Sequence, residues 1–216
     1  MENNAKKNYN RLMQIQLESI LQNNSQKKTS LLLHACCAPC SSAVLERLAS
    51  YFETTIFYYN PNIHPQSEYI RRRDELIKFV CAFPFAKDVR LFIPPYNPQE
   101  YFAATKTRQE VALQSEPEQG ERCYRCYRFR MEKAFAYAAE NGFDYATTTL
   151  SISPHKDAQK INAIGAELEQ KNGNSPKFLY ADFKKKNGYK RSLELSCEYN
   201  LYRQDYCGCV FSQKIH

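Results

Sequence analysis

Hydrophobic positions along the chain follow two periods, and the changes between them mark the elements. Leu31-Leu-Leu-His34 is a short unbroken apolar run, as expected of a strand buried on both faces. Thr54–Tyr59, Val89–Ile93 and Phe143–Leu150 are rich in β-branched and aromatic residues and read as three further strands. Helical spacing fills the intervals. The first helix covers Asn8–Gln22, with Leu12, Ile15, Ile20 and Leu21 in register, and is expected to pack at the sheet edge. A second runs Ser42–Ser50. A third runs Ser67–Phe83, with Tyr69, Leu76, Ile77 and Val80 inward and Arg71-Arg-Arg73 mostly outward. Pro98–Gln114 is a fourth, and Phe129–Asn141 a fifth, closed by Gly142. Ser153-Pro154 reads as cap and first residue of a helix to Gln170, and Ser192–Tyr199 is a short last helix. Polar or proline-bearing links occupy 23–28, 60–65, 115–120 and 171–176.

Strands alternating with helices predict an α/β fold, a Rossmann-like parallel sheet with helices on both faces. The expected organisation is a single α/β domain. Residues 1–28 form an N-terminal helix and link, 29–216 the catalytic core, and 177–216 a basic, aromatic segment that completes a metal site.

A chain of 216 residues buries enough apolar surface to fold without disulfides. No run is apolar enough to span a bilayer and the polar N-terminus does not read as a signal peptide, so a cytoplasmic protein without membrane attachment is expected. In a reducing compartment nine cysteines point to metal or redox use. The net charge of +7, with 16 tyrosines and 13 phenylalanines, suits either an RNA-contacting protein or a basic enzyme.

Seven of the nine cysteines fall into three groups: Cys36, Cys37 and Cys40; Cys123 and Cys126; Cys207 and Cys209. The first group follows the Leu31 strand and precedes a helix, where α/β proteins keep ligands and helix amides favour thiolates. A Cys-x-x-Cys pair alone fits a zinc half-site, a redox pair or cluster ligands. Seven thiols exceed the four that one tetrahedral zinc takes, which indicates an iron–sulfur cluster, a second metal, or both. Neighbouring Cys36 and Cys37 are expected to diverge. Cys81 reads as a small core residue.

The stretches HACCAPCS, YYNPNIHPQSEYIRR, ERCYRCYRFR, ATTTLSISPHKD and GYKRSLELSCEYNLYRQDYCGC resemble the cobalamin-independent epoxyqueuosine reductase family QueH, across nearly all of Leu31 to Cys209. The resemblance implies a fold similar to the adenine-nucleotide α-hydrolase type. It implies reduction of epoxyqueuosine to queuosine at the tRNA wobble position, with a [4Fe-4S] cluster and an adjacent iron. It also implies a tRNA substrate and an electron donor. Carried over, the metal ligands are Cys36, Cys37, Cys40, Cys123, Cys126, Cys207 and Cys209, with the division between cluster and iron left open. Some members use a carboxylate at the second metal. Where that is the last residue of the CCAPC turn, Cys40 takes its place. Cys197 stands where a lysine is expected and reads as a bystander.

Deoxygenating an epoxide consumes two electrons and two protons, and the oxygen leaves poorly unless its charge is stabilised. Asp182 and Asp205 are the candidate proton donors, with Glu194 and His34 behind them. Capping, or a satisfied core histidine, competes with catalysis for each. Arg125, Arg128 and Arg203 flank the thiols. Tyr124, Tyr127, Tyr189, Tyr202 and Tyr206 are candidates for stacking on bases, and Lys184-Lys-Lys186 for phosphate contact. Three rivals stand beside this reading. An ATP-dependent sulfur-inserting tRNA enzyme of similar fold would carry an SGGxDS-type loop where this chain has HACCAPC. A zinc-bearing RNA-binding module would lack sulfide. A dithiol regulator would need no metal.

Overall fold

The computed structural model describes residues 7–22 and 28–212. The link expected at 23–28 lies, apart from Lys28, outside the described residues. Five strands form one parallel sheet: β1 (Thr29–His34), β2 (Phe52–Phe57), β3 (Arg90–Phe92), β4 (Tyr145–Thr148) and β5 (Lys177–Phe178). Their order is β3-β2-β1-β4-β5, with β1 paired to both β2 and β4. This doubly wound order switches direction beside β1, where such sheets open a crevice at the strand carboxyl ends. The two-residue β5 is too short to leave a sequence pattern, and was missed.

The helices are α1 (Tyr9–Gln22), α2 (Ala38–Leu48), α3 (Gln66–Ala82), α4 (Pro98–Thr105), α5 (Glu121–Glu140), α6 (Ala158–Lys171) and α7 (Gly188–Glu198). Two apolar cores sandwich the sheet. Leu31 and Leu33 join Met13, Leu45, Ile56 and Leu76 on one face, while Leu32 joins Met131, Phe135, Ile161 and Ile164 on the other. Period-2 alternation with both faces covered is why β1 reads as continuously apolar.

Several expected boundaries and faces shift. The buried stripe of α1 is Tyr9, Met13, Leu17 and Ile20, and Ile15 and Leu21 are exposed. As expected, α1 lies at the sheet edge: Gln16 donates to the Phe178 carbonyl and accepts from the Tyr180 amide, capping strand β5. On α3, Ile77 is exposed and Arg72 is buried in an ion pair with Glu68. The helix expected over Pro98–Gln114 stops at Thr105, where Lys106 adopts a left-handed conformation. A separate 3-10 turn then covers Val111–Gln114. Helix α6 starts at Ala158, not beside Pro154, because the Asp157 carboxylate accepts from the Gln159 and Lys160 amides. Cys81 is exposed on α3 and not in the core. Among the described residues no helix is long and apolar enough to cross a membrane.

Candidate metal centre

The turn after β1 contributes the first thiols. Helix α2 begins at Ala38, four residues before the expected start, so Cys37 is its cap residue and Cys40 lies in its first turn. The Cys37 side chain makes no capping bond, and its backbone is extended at φ −172° and ψ 168°. The divergence expected of neighbouring side chains nevertheless does not occur. The Cys36 and Cys37 sulfurs are 3.9 Å apart, and those of Cys36, Cys37 and Cys40 all lie within 4.8 Å of one another. Such a set of soft donors suits a thiophilic metal. Thr149 Oγ1 accepts from the Cys36 amide at 3.4 Å, and Gln204 Nε2 donates to the Cys37 sulfur at 3.3 Å.

Helix α5 supplies the second set. It opens at Glu121, not Phe129, and so carries Cys123 and Cys126 on its first two turns. Arg122, Cys126 and Arg130 then share one face at four-residue spacing, and all three are buried. The third set is a turn clamped from three sides. Arg72 donates to the carbonyls of Tyr206 and Cys207, the His64 amide donates to the Gly208 carbonyl, and the Tyr206 hydroxyl donates to the His64 carbonyl. Gly208 has φ +99°, and a Cβ there would stand 2.9 Å from Ile63 and 3.0 Å from Arg72, so only glycine fits between the two cysteines.

Cys123, Cys126, Cys207 and Cys209 line one small cavity together with Tyr101, Tyr127, Arg122 and Arg130. Cys207 also lies on the wall of a wider cleft of about 630 Å³, as do Cys36 and Cys40. Cys36 and Cys40 of the first set therefore share a cleft with Cys207 of the second, beside the cavity that the four later thiols line. Arg122, Arg130, His155 and Lys156 line both spaces.

The electrostatics follow from that crowding. Hydrogen bonds from Cys37 and Cys40 hold the Cys36 thiol well below its usual range, and its two donors are pushed up, Cys37 to about 12. In the other set the bond from Cys209 holds Cys207 low, and burial raises Cys126 to about 11. Each set thus keeps one preformed thiolate, the form that binds metal. Burial pulls the Lys156 ammonium toward neutrality, but the thiolates of Cys207 and Cys36 outweigh it and hold the group charged.

The remaining predicted site residues divide. Asp205, Arg203, Tyr189 and Tyr206 line the cleft. Asp182 does not line it; its carboxylate pairs with Lys184 at 2.7 Å. Glu194 pairs with Arg191. His34 is fully buried, its ring nitrogens meeting Thr148 Oγ1 at 2.8 Å and the Tyr59 carbonyl at 3.1 Å. Arg125 pairs with Glu110 and Glu121, and Arg128 with Glu132 and Glu167. Tyr124 meets Arg128, and Tyr202 meets Glu68 and Arg71. Cys197 is exposed on α7. Sequence reasoning gave no role to Tyr101, Arg122, Arg130, Lys156 or Gln204. The four-residue spacing of Arg122, Cys126 and Arg130 was a usable signal, hidden by placing the helix start eight residues late.

A doubly wound sheet with seven thiols at its carboxyl-end crevice defines a thiol-rich α/β protein suited to soft metals. The model of the family described as epoxyqueuosine reductase QueH matches residues 31–215. Similar relatives named epoxyqueuosine reductase QueH include those of Streptococcus pyogenes serotype M1, 42% identical over 100% of this chain and 82% of its own length, and Staphylococcus epidermidis, 39% identical over 97% and 86%. The Thermotoga maritima relative of that name is 36% identical over 85% of this chain and 90% of its own length. The chain belongs to the epoxyqueuosine reductase QueH family.

Proposed function

We propose that this protein is an oxidoreductase that reduces epoxyqueuosine to queuosine in tRNA. Cys123, Cys126, Cys207 and Cys209 hold a [4Fe-4S] cluster, and Cys36, Cys37 and Cys40 hold an adjacent iron. The observation that carries this reading, beside family membership, is the division of the seven thiols into a cluster of three and a cavity lined by four, with Cys36, Cys40 and Cys207 on one cleft. Four thiolates are the usual complement of a [4Fe-4S] cluster, and three leave a metal with room for another ligand. Bound there, the two groups supply electrons singly and a Lewis-acidic contact for oxygen.

The net reaction takes an epoxide, two electrons from an external donor and two protons to an alkene and water. The chain's own residues prepare it. The cleft takes an extruded base, with Tyr189 and Tyr206 on its wall, rings that Arg203 and Arg72 overlie, as the aromatic contacts. The Lys156 ammonium places positive charge and protons at Nζ between the two thiol sets, where charge develops on the departing oxygen. Asp205, which lines the same cleft as Glu116 and Glu118, is the carboxylate we assign to pass a proton inward. Asp182 is tied to Lys184 and serves structure.

The turn after β1 carries three thiols where the sulfur-inserting rival needs a glycine phosphate loop, and this favours metal over ATP. Iron, zinc and acid-labile sulfide measured on anaerobically purified protein test the reading. Sulfide with iron in excess of four per chain supports it. Stoichiometric zinc without sulfide, even after iron–sulfur reconstitution, contradicts it.

A further inference from the structure

Two guanidinium groups in the wall of the four-thiol cavity have no carboxylate partner. Arg122 is 1% exposed and Arg130 3% exposed. Among the described residues neither forms a side-chain ion pair, unlike Arg72, Arg125 and Arg128. Arg130 donates to the Cys126 carbonyl at 3.4 Å and to Asn60 Oδ1 at 3.1 Å, and Asn60 in turn donates to the Ala35 carbonyl. Arg130 therefore sits between helix α5 and the turn that carries Cys36. Arg122 donates from one terminal nitrogen to the carbonyls of Leu113 and Gln114, and among the described residues its buried Nε has no hydrogen-bond partner. Glu116 accepts from the Arg122 main-chain amide, not from its guanidinium.

A buried arginine does not shed its proton, and an unpaired buried charge is costly. Neutral carbonyls satisfy hydrogen bonds but do not balance charge. One carboxylate, Glu118, also lines the cavity, but among the described residues it forms no ion pair with either group, and the other anions facing them are the thiolates.

Resting on the metal reading above, we propose that Arg122 and Arg130 are positioning residues that act as fixed counter-charges of the cluster and raise its reduction potential. Reduction adds one electron to an already anionic thiolate-bound group and breaks no bond. Two cations in a dry wall stabilise the more negative state more than the less negative one. Arg122 Nε–H, without a partner among the described residues, is a spare donor in the wall of the same cavity, and donors to cluster sulfurs act in the same direction.

The test is a dithionite titration of the anaerobic, cluster-loaded protein, followed by electron paramagnetic resonance, with iron and sulfide quantified in every sample. Arg130→Gln and Arg122→Gln keep hydrogen-bonding groups and remove the charge, and Arg130→Lys keeps the charge and changes the fork. Each glutamine variant should disfavour reduction at least tenfold, a fall of about 59 mV for a one-electron couple, and Arg130→Lys should fall less than half as far. A loaded glutamine variant with the parent potential overturns the proposal, as does a lysine variant that falls as far as glutamine. If Arg130→Gln does not load, Arg122→Gln decides by the same criterion. A parent that never holds sulfide refutes the metal reading itself, and is distinguished by the iron and sulfide assay.

Discussion

The Tyr101 hydroxyl lies 2.9 Å from the Cys209 sulfur, and both side chains are buried. Burial raises the Tyr101 phenol, and the hydrogen bond to Cys207 with burial raises the Cys209 thiol, so both stay protonated and share one hydrogen bond. This one contact ties helix α4 to the C-terminal turn of the four-thiol cavity. Tyr101→Phe should keep the packing and lose the bond, costing about 1 kcal/mol. Urea unfolding of the metal-free protein measures this, and iron content should stay near parent.

The division of thiols makes the cysteine variants fall into classes. Serine at Cys123, Cys126, Cys207 or Cys209 should abolish sulfide and most iron. Serine at Cys36, Cys37 or Cys40 should keep four iron and four sulfide per chain and lose only the additional iron. Exposed Cys81 and Cys197 should tolerate serine with both retained. Iron and sulfide assays across the nine variants check this. Loss of sulfide in Cys40→Ser would redraw the boundary between the sets.

Local period and topology explain what was legible in the sequence. The apolar run of β1 betrays a doubly covered strand, and strand–helix alternation betrays the parallel sheet. The thiol groups were visible as clusters, but not their division into four and three, because that depends on where α5 and the C-terminal turn meet. Arg72 reads as one of three surface arginines and is instead the clamp on the Cys207 turn, which only tertiary packing reveals. Asp182 and Asp205 looked equivalent, and the Lys184 partner separates them.

His34 gives a pH signature. Burial, reinforced by the Arg130 charge, lowers it from the ordinary 6.5 to about 4. The unfolded chain therefore binds a proton that the folded chain refuses, and stability is lost as pH falls from about 6.5 to about 4, with none of this loss above that window. The loss should approach about 3 kcal/mol. Denaturant unfolding of metal-free parent and His34→Gln across that range should show a shallower fall in the variant. Parallel curves would remove His34 from the account.

Binding of tRNA should depend on salt through the cleft rim. Arg203 is exposed there, and among the described residues it hydrogen-bonds to Ser192 and Ser196, lies over the Tyr189 ring and forms no ion pair. Arg203→Ala should reduce the log–log salt slope by roughly 0.7, the share of one phosphate contact on a single strand. Lys184 is held by Asp182, so of the basic run only Lys185 and Lys186 stand free of that pairing. Filter binding across a salt series checks both, and an unchanged slope for Arg203→Ala would take the rim out of the interface.

The central claim is tested most directly by the product. Anaerobic protein is incubated with a reduced low-potential donor and tRNA carrying epoxyqueuosine, without cobalamin or ATP, and the digested nucleosides are weighed by mass spectrometry. The expected result is loss of one oxygen from the modified base, giving queuosine, in the parent but not in the Cys36→Ser or Cys207→Ser variants. An unchanged epoxide with a fully loaded enzyme, or a product that requires ATP or gains sulfur, would contradict it.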